Sequence, residues 1–199
     1  MFANGAGNLQ WLFLPLKCFE MQFTPTVFAG AYLIEPIYIS DERGFFARTY
    51  CANEFASKGL KVNSVQCNIS YNKTRGTLRG MHFQRQPNAE AKLVRCTSGS
   101  ICDVIIDLRQ GSQTFAQWAA FELTSQNRHA LYIPEGFAHG FQTLADDTEV
   151  LYQMFNFFAP ESAGGVRWND PAFNIEWPLD VSIMSDKDRA YPEFDRLPL

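Results

Sequence analysis

The sequence predicts an all-β sandwich or barrel in one domain, and three observations carry that prediction. Short runs rich in Val, Ile, Thr and aromatic residues fill residues 66–158. Turn signals cut them at Asn72-Lys73, Ser98-Gly99, residues 109–112, Ser125-Gln126-Asn127, Pro134-Glu135-Gly136 and Ala145-Asp146-Asp147, roughly every 10–15 residues, as an all-β fold requires. Finally, residues 102–108 alternate, with Cys102, Val104, Ile106 and Leu108 on one face and Asp103 and Asp107 on the other, which predicts a half-buried strand.

Taken in chain order, residues 1–20 contain one short apolar stretch, 11–16, interrupted by Pro15 and too short to span a bilayer. Ordered patterning begins at Met21, itself a possible start, so 1–20 reads as an N-terminal extension outside a single domain over 21–199. Residues 51–59 predict a helix, with Asn53 as N-cap and Gly59 as stop. The strands follow, and Ser185 is placed to cap a short helical turn through Ala190.

Hydrophobic residues make up 46% of the chain and charged residues 19%, which excludes extensive disorder. A net charge of -4 without any basic run argues against nucleic-acid binding, which needs a clustered cationic face. The five cysteines, Cys18, Cys51, Cys67, Cys96 and Cys102, show no C-x-x-C spacing and read as reduced, cytoplasmic thiols. Phe is unusually frequent, 18 of 199 residues, consistent with either an aromatic core or a ring-lined cavity.

Of three histidines, His129 lies in a polar turn, whereas His82 and His139 sit in apolar, strand-like sequence. A core histidine bonded to a backbone carbonyl would explain either alone. Strand parity adds to this: Leu78, Gly80, His82 and Gln84 share one face, and Tyr152 lies with Val150 and Met154. If those faces line one interior, a base and a phenol meet there; otherwise Tyr152 is a core tyrosine. Lys92, opening the strand Lys92-Leu93-Val94-Arg95-Cys96, is either a snorkelling strand-end lysine or a buried cation.

Asp41-Glu42-Arg43-Gly44-Phe45-Phe46, Gln66-Cys67-Asn68-Ile69-Ser70, Leu78-Arg79-Gly80-Met81-His82-Phe83-Gln84, Lys92-Leu93-Val94, Pro134-Glu135-Gly136-Phe137-Ala138-His139-Gly140-Phe141, Trp168-Asn169-Asp170-Pro171, Trp177-Pro178 and Ser185-Asp186-Lys187-Asp188 occur in order across 21–192. This pattern resembles the dTDP-4-dehydrorhamnose 3,5-epimerase family. The resemblance implies a cupin-type jelly roll, a homodimer, no metal or organic cofactor, and a nucleotide-linked 4-keto-6-deoxyhexose as substrate, inverted at C-3, C-5 or both on the way to cell-surface polysaccharide.

Such a reaction needs a base for a weakly acidic α-hydrogen, a group that holds the enolate charge, and an acid on the opposite face. By the resemblance, His82 is the base, Asp188 its partner, Tyr152 the proton donor, and Lys92 a substrate-binding cation facing the enolate oxygen. Arg43, Gln66, Asn68, Arg79, His139 and Lys187 match the diphosphate-binding positions. Phe158 matches the aromatic that stacks on the base.

Two positions depart from the family pattern: Arg48 and Ala163 stand where glutamates of the nucleotide-binding set are usual, with Glu161 a local substitute. They leave the nucleotide open among dTDP, CDP and GDP. Two alternatives are a metal-dependent cupin, whose His-x-His motif would here read His82-Phe83-Gln84 with Glu90 following, and a non-catalytic nucleotide-sugar binding module. Gln is a poor transition-metal ligand, and retention of both His82 and Tyr152 argues against a mere binding module. Eight of the 18 phenylalanines adjoin proposed site residues, with Phe158 expected to touch ligand and the others to form a dry wall.

Overall fold

The structure is a computed structural model that describes residues 20–194, so the expected extension over 1–20 lies outside the described residues apart from Glu20. The chain first forms β1 (Gln22–Pro25), β2 (Tyr32–Glu35), β3 (Tyr38–Asp41), β4 (Gly44–Ala47) and α1 (Ala52–Ser57). The central strands are β5 (Gln66–Asn72), β6 (Leu78–Gln84), β7 (Lys92–Ser98), β8 (Ser100–Asp107), β9 (Trp118–Thr124), β10 (Ala130–Ile133), β11 (Phe137–Thr143) and β12 (Thr148–Met154). A short β13 (Ala163–Gly165) and the single turn α2 (Asp186–Arg189) complete it.

Two antiparallel sheets face each other, ordered β1-β2-β10-β7-β12-β5 and β13-β6-β11-β8-β9, with β3-β4 as a separate hairpin. This is the jelly-roll sandwich expected. Between the sheets lies a core that includes Val94, Cys96, Ile133 and Val150 from one side and Ile101, Ile105, Phe137 and Phe141 from the other. Each fully buried branched side chain there contributes roughly 1.5–3 kcal/mol. Toward one end this packing gives way to polar side chains from β5, β6, β7 and β12, and there a cavity opens.

Three local expectations change. Asn53 does not cap α1: Cys51 holds the N-cap position without a side-chain hydrogen bond, and Asn53 lies inside the helix, which ends before Gly59 with its φ of +72°. Second, β8 is not half-buried: Asp103 and Asp107 are both 0% exposed. Its outer face is covered by the segment after β13, where Val166, Phe173, Ile175 and Trp177 join Val104, Ile106 and Leu108 in a second core. On the opposite face Asp107 accepts hydrogen bonds on both oxygens from Arg109, Ser112 and Thr114, while Asp103 meets His139 through Oδ1 alone.

The third change concerns β6. His139 pairs with His82 but Phe141 pairs with Arg79, so β6 carries one extra residue, a β-bulge. Strict alternation would turn Arg79 away from His82; the bulge brings both to the interior side. Gly80 occupies it with a φ of +138°, where an added Cβ would meet Gly140 Cα at 2.5 Å. By contrast, Ser185 caps α2 as expected, its hydroxyl accepting from the Asp188 N–H at 3.1 Å.

Candidate active site

A cavity of about 410 Å³ is lined by side chains from both sheets, including Gln66 and Asn68 of β5, His82 of β6, Lys92 of β7, Tyr152 of β12, Phe158, and Lys187 of α2. A smaller space of about 150 Å³ shares His82, Lys92 and Tyr152 with it and adds Ser70, Arg79, His139 and Phe141. The two therefore form one continuous site with those three residues at the junction.

The alternation of β5 explains its part: Gln66, Asn68 and Ser70 point inward while Cys67, Ile69 and Tyr71 are exposed. His82 and Tyr152 come from facing sheets and line one cavity, the case that strand parity alone left open. His82 Nε2 lies 2.7 Å from Asp188 Oδ1, with the Asp188 side chain 7% and the His82 side chain 41% exposed. A carboxylate hidden behind a half-open imidazole orients the ring and compensates the charge of a proton taken up from the cavity side. The Gly80 N–H donates to Asp188 Oδ2 at 3.4 Å. Burial pushes the Asp188 carboxyl up, but His82, Gly80 and Ser185 pull it down further, leaving it below the usual carboxylate range.

Lys92 is buried, and its Nζ lies 2.9 Å from Glu90 Oε1. In the smaller space His139 Nε2 meets Asp103 Oδ1 at 2.7 Å, and Asn72 Oδ1 accepts from Arg79 Nε at 2.7 Å, which fixes the guanidinium beside the imidazoles. Phe158 is 60% exposed at the cavity wall, its N–H donating to Gln66 Oε1 at 2.8 Å. An open ring face next to a fixed amide suits stacking on a planar base.

Arg43 is not brought into either space of its own chain. It sits at the tip of the β3-β4 hairpin, 79% exposed and ion-paired with Asp41. The hairpin forms its own small sheet and leans on the β9-β10 turn, where Arg128 stacks 4.6 Å from the Phe45 ring centre. Phe45, Phe46 and Phe157 are exposed, so they are not part of a dry wall, whereas Phe83 and Phe141 do line the site. His129 is half-buried at its turn, 3.9 Å from Glu35.

The departures resolve structurally. Arg48 binds Glu54 of α1 at 2.9 Å, away from the cavity. Ala163 lines the cavity, and Glu161 does not replace the missing carboxylate there, since its contact is with Asn88 at 3.5 Å. Two titratable lining residues escaped the sequence reading of the epimerase site, Glu90 and Tyr191. Tyr191 stands edge-on to His82 with ring centres 5.8 Å apart. Burial, and next the nearby Asp188, push its phenol up. Nothing in its sequence context marks it, whereas Glu90, two residues before Lys92, has the spacing of a same-face neighbour.

Gln84, at the second position of the would-be metal motif, spends its amide on the backbone: it donates to the Asn88 and Phe157 carbonyls and accepts from the Ala159 N–H. Among the described residues no group of three or more His, Cys, Asp and Glu side chains could hold a metal ion. The same residues contain no helix long and apolar enough to cross a membrane.

A jelly roll whose cavity sets a carboxylate-backed imidazole and a phenol on facing sheets, beside a buried ammonium, has the groups that a cupin-like enzyme moving protons beside a carbonyl needs. Comparison with known proteins makes this specific. The dTDP-4-dehydrorhamnose 3,5-epimerase family model matches residues 25–196, and the chain belongs to that family, a family of isomerases. It is 45% identical over 173 residues to the dTDP-4-dehydrorhamnose 3,5-epimerase of Salmonella typhimurium, covering 86% of this chain and 94% of that one. It also resembles the crystal structure of the Bacillus anthracis dTDP-4-dehydrorhamnose 3,5-epimerase with TDP and PPi bound, with TM-score 0.85, 42% identity, and 87% and 99% of the two chains covered. A Legionella pneumophila dTDP-6-deoxy-D-glucose-3,5-epimerase in complex with dTDP-4-keto-L-rhamnose superposes with TM-score 0.84 at 35% identity, covering 89% and 95%.

Proposed function

We propose that this chain inverts C-3 and C-5 of dTDP-4-keto-6-deoxyglucose, with His82 as base, Asp188 as its anionic partner, Tyr152 as acid and Lys92 as the cation at the enolate oxygen. The observation that carries this reading is that His82 and Tyr152 project from facing sheets onto one cavity. A sugar ring held between them meets a base on one face and an acid on the other, which is what inversion demands. His82 removes the hydrogen beside the ketone, the C-4 oxygen takes up the charge against Lys92, and Tyr152 returns a proton to the opposite face. A well-placed acid or base is worth on the order of 10²–10⁴ in rate, and one donor to the oxyanion on the order of 10²–10³.

Arg79, His139 and Lys187 then serve the diphosphate, Gln66 and Asn68 the nucleoside side, and Phe158 stacks on the base. The relatives act on or bind dTDP compounds, which favours dTDP over CDP or GDP. The chain works as one domain in a cytoplasmic homodimer, feeding polysaccharide synthesis. Arg43, exposed on its hairpin, would act on the diphosphate in the partner's site. Incubation with dTDP-4-keto-6-deoxyglucose in deuterated water tests the reaction: deuterium is expected at C-3 and C-5. CDP and GDP counterparts run in parallel test the nucleotide, and no incorporation with any of the three refutes the reading.

A further inference from the structure

The proton-transfer reading leaves one charged wall residue without a task. Glu90 precedes β7 by two residues, and its side chain is only 7% exposed. Oε1 accepts from Lys92 Nζ at 2.9 Å, while Oε2 is buried and, among the described residues, no donor reaches it. A buried carboxylate oxygen without a donor is costly, and an ion pair kept for stability alone is normally satisfied on both oxygens. Asp107 shows the contrast: Arg109, Ser112 and Thr114 together supply donors to both of its oxygens. Asp103 Oδ2 also lacks a donor, but it sits behind His139, whereas Glu90 itself lines the larger cavity with His82, Lys92 and Tyr152.

A carboxylate oxygen left without a donor in the cavity wall calls for one on the bound molecule. A 4-keto-6-deoxyhexose linked through C-1 offers two, the hydroxyls at C-2 and C-3. The C-3 hydroxyl changes direction as its carbon inverts, while the C-2 hydroxyl keeps its place and can be held throughout. Glu90 is tied to the lysine that faces the C-4 oxygen, so its second oxygen lies within reach of the same ring. We infer that Glu90 Oε2 accepts a hydrogen bond from the C-2 hydroxyl of the bound hexose and makes the site selective for sugars that carry it over 2-deoxy sugars. This rests on the keto-sugar epimerase reading and extends it to substrate choice.

The test is a cycle between protein and substrate. kcat/KM and the dissociation constant are measured for dTDP-4-keto-6-deoxyglucose and its 2-deoxy analogue, with wild type, Glu90→Ala and Glu90→Gln. Wild type should prefer the 2-hydroxy sugar by about 10- to 100-fold. Glu90→Ala should bring that preference to within about threefold, and Glu90→Gln should leave it in between, because an amide still bonds a hydroxyl but without charge. Loss of the lysine's partner slows both sugars alike and cancels in the ratio, and if Glu90→Ala does not fold, the Glu90→Gln ratio decides. Variants that keep the wild-type preference overturn the inference even where turnover is normal. A wild type that binds with the stated preference but turns over neither sugar refutes the epimerase reading and leaves the Glu90 contact standing.

Discussion

Replacing Asp188 with Asn is the most informative single change at this site. Asn keeps the shape and an oxygen for the Gly80 N–H, so α2 and its Ser185 cap should stay in place, and what disappears is one negative charge 2.7 Å from His82 Nε2. With charge centres about 4 Å apart, that charge stabilises an imidazolium by about 1 kcal/mol in water and about 4 kcal/mol at an effective dielectric of ~20. At about 1.4 kcal/mol per tenfold, these limits correspond to roughly 5-fold and 10³-fold in rate. The Asp188 side chain is 7% exposed and that of His82 41%, so one end of the pair is screened and the other is not. The expected loss in kcat lies between the limits, at about 10²-fold. The assay is wash-in of deuterium at C-3 and C-5, followed by proton NMR, with thermal melting to confirm an unchanged fold. A variant that melts like wild type and turns over within about threefold of it would refute the argument that the carboxylate supports the base.

Two further outcomes follow from the same geometry and from a buried carboxylate elsewhere. Tyr152→Phe removes the proposed acid and leaves the proposed base, so inversion should fall by about 10²–10⁴ while His82 still exchanges the substrate hydrogen with solvent on one face. NMR that resolves exchange from inversion checks it, and loss of both together would contradict the division of roles. Asp107 gives a stability prediction: burial pushes its carboxyl up, but hydrogen bonds from Arg109, Ser112 and Thr114 pull it further down, to about 2, against a usual 3.8. A depressed carboxyl stabilises the fold fully above the unfolded-state value and progressively less as pH falls from near 4 through about 2. Asp107→Asn should therefore flatten the acid side of the stability curve, measured by urea melts across that interval; an unchanged slope would refute it.

Much of this was readable in the chain before folding, for identifiable physical reasons. Turn residues at Ser98-Gly99 and Pro134-Glu135-Gly136 mark real strand ends because Gly99 and Gly136 supply the positive φ those turns use. Ser185 was readable because an N-cap is a local hydrogen bond. Tyr152 and the inward set of β5 follow from the two-residue period of a strand. What escaped depends on non-local contacts. The bulge at Gly80 defeats parity and is visible only against β11, and Asp103 and Asp107 are buried because their face of β8, shared with Ile101 and Ile105, turns toward the opposite sheet. Arg43 carries a motif that cannot say which site it serves, and Tyr191 joins the wall through tertiary placement alone, whereas Glu90 carried only the two-residue spacing to Lys92.

The route by which Asp188 reaches His82 has a consequence for the order of assembly. His82, the proposed base, is carried by a strand of the sandwich, but its carboxylate partner comes later in the chain, on a strap that returns after β13, docks through Ile183 against Thr77 and Leu78, and leads into α2. A ribosome delivers the imidazole well before the carboxylate. The two partners lie 106 residues apart in sequence, and their contact exists only where the strap is docked on β6. A chain cut ahead of residue 185 loses the Ser185 cap and Asp188 together, and with them the proposed anionic partner of His82.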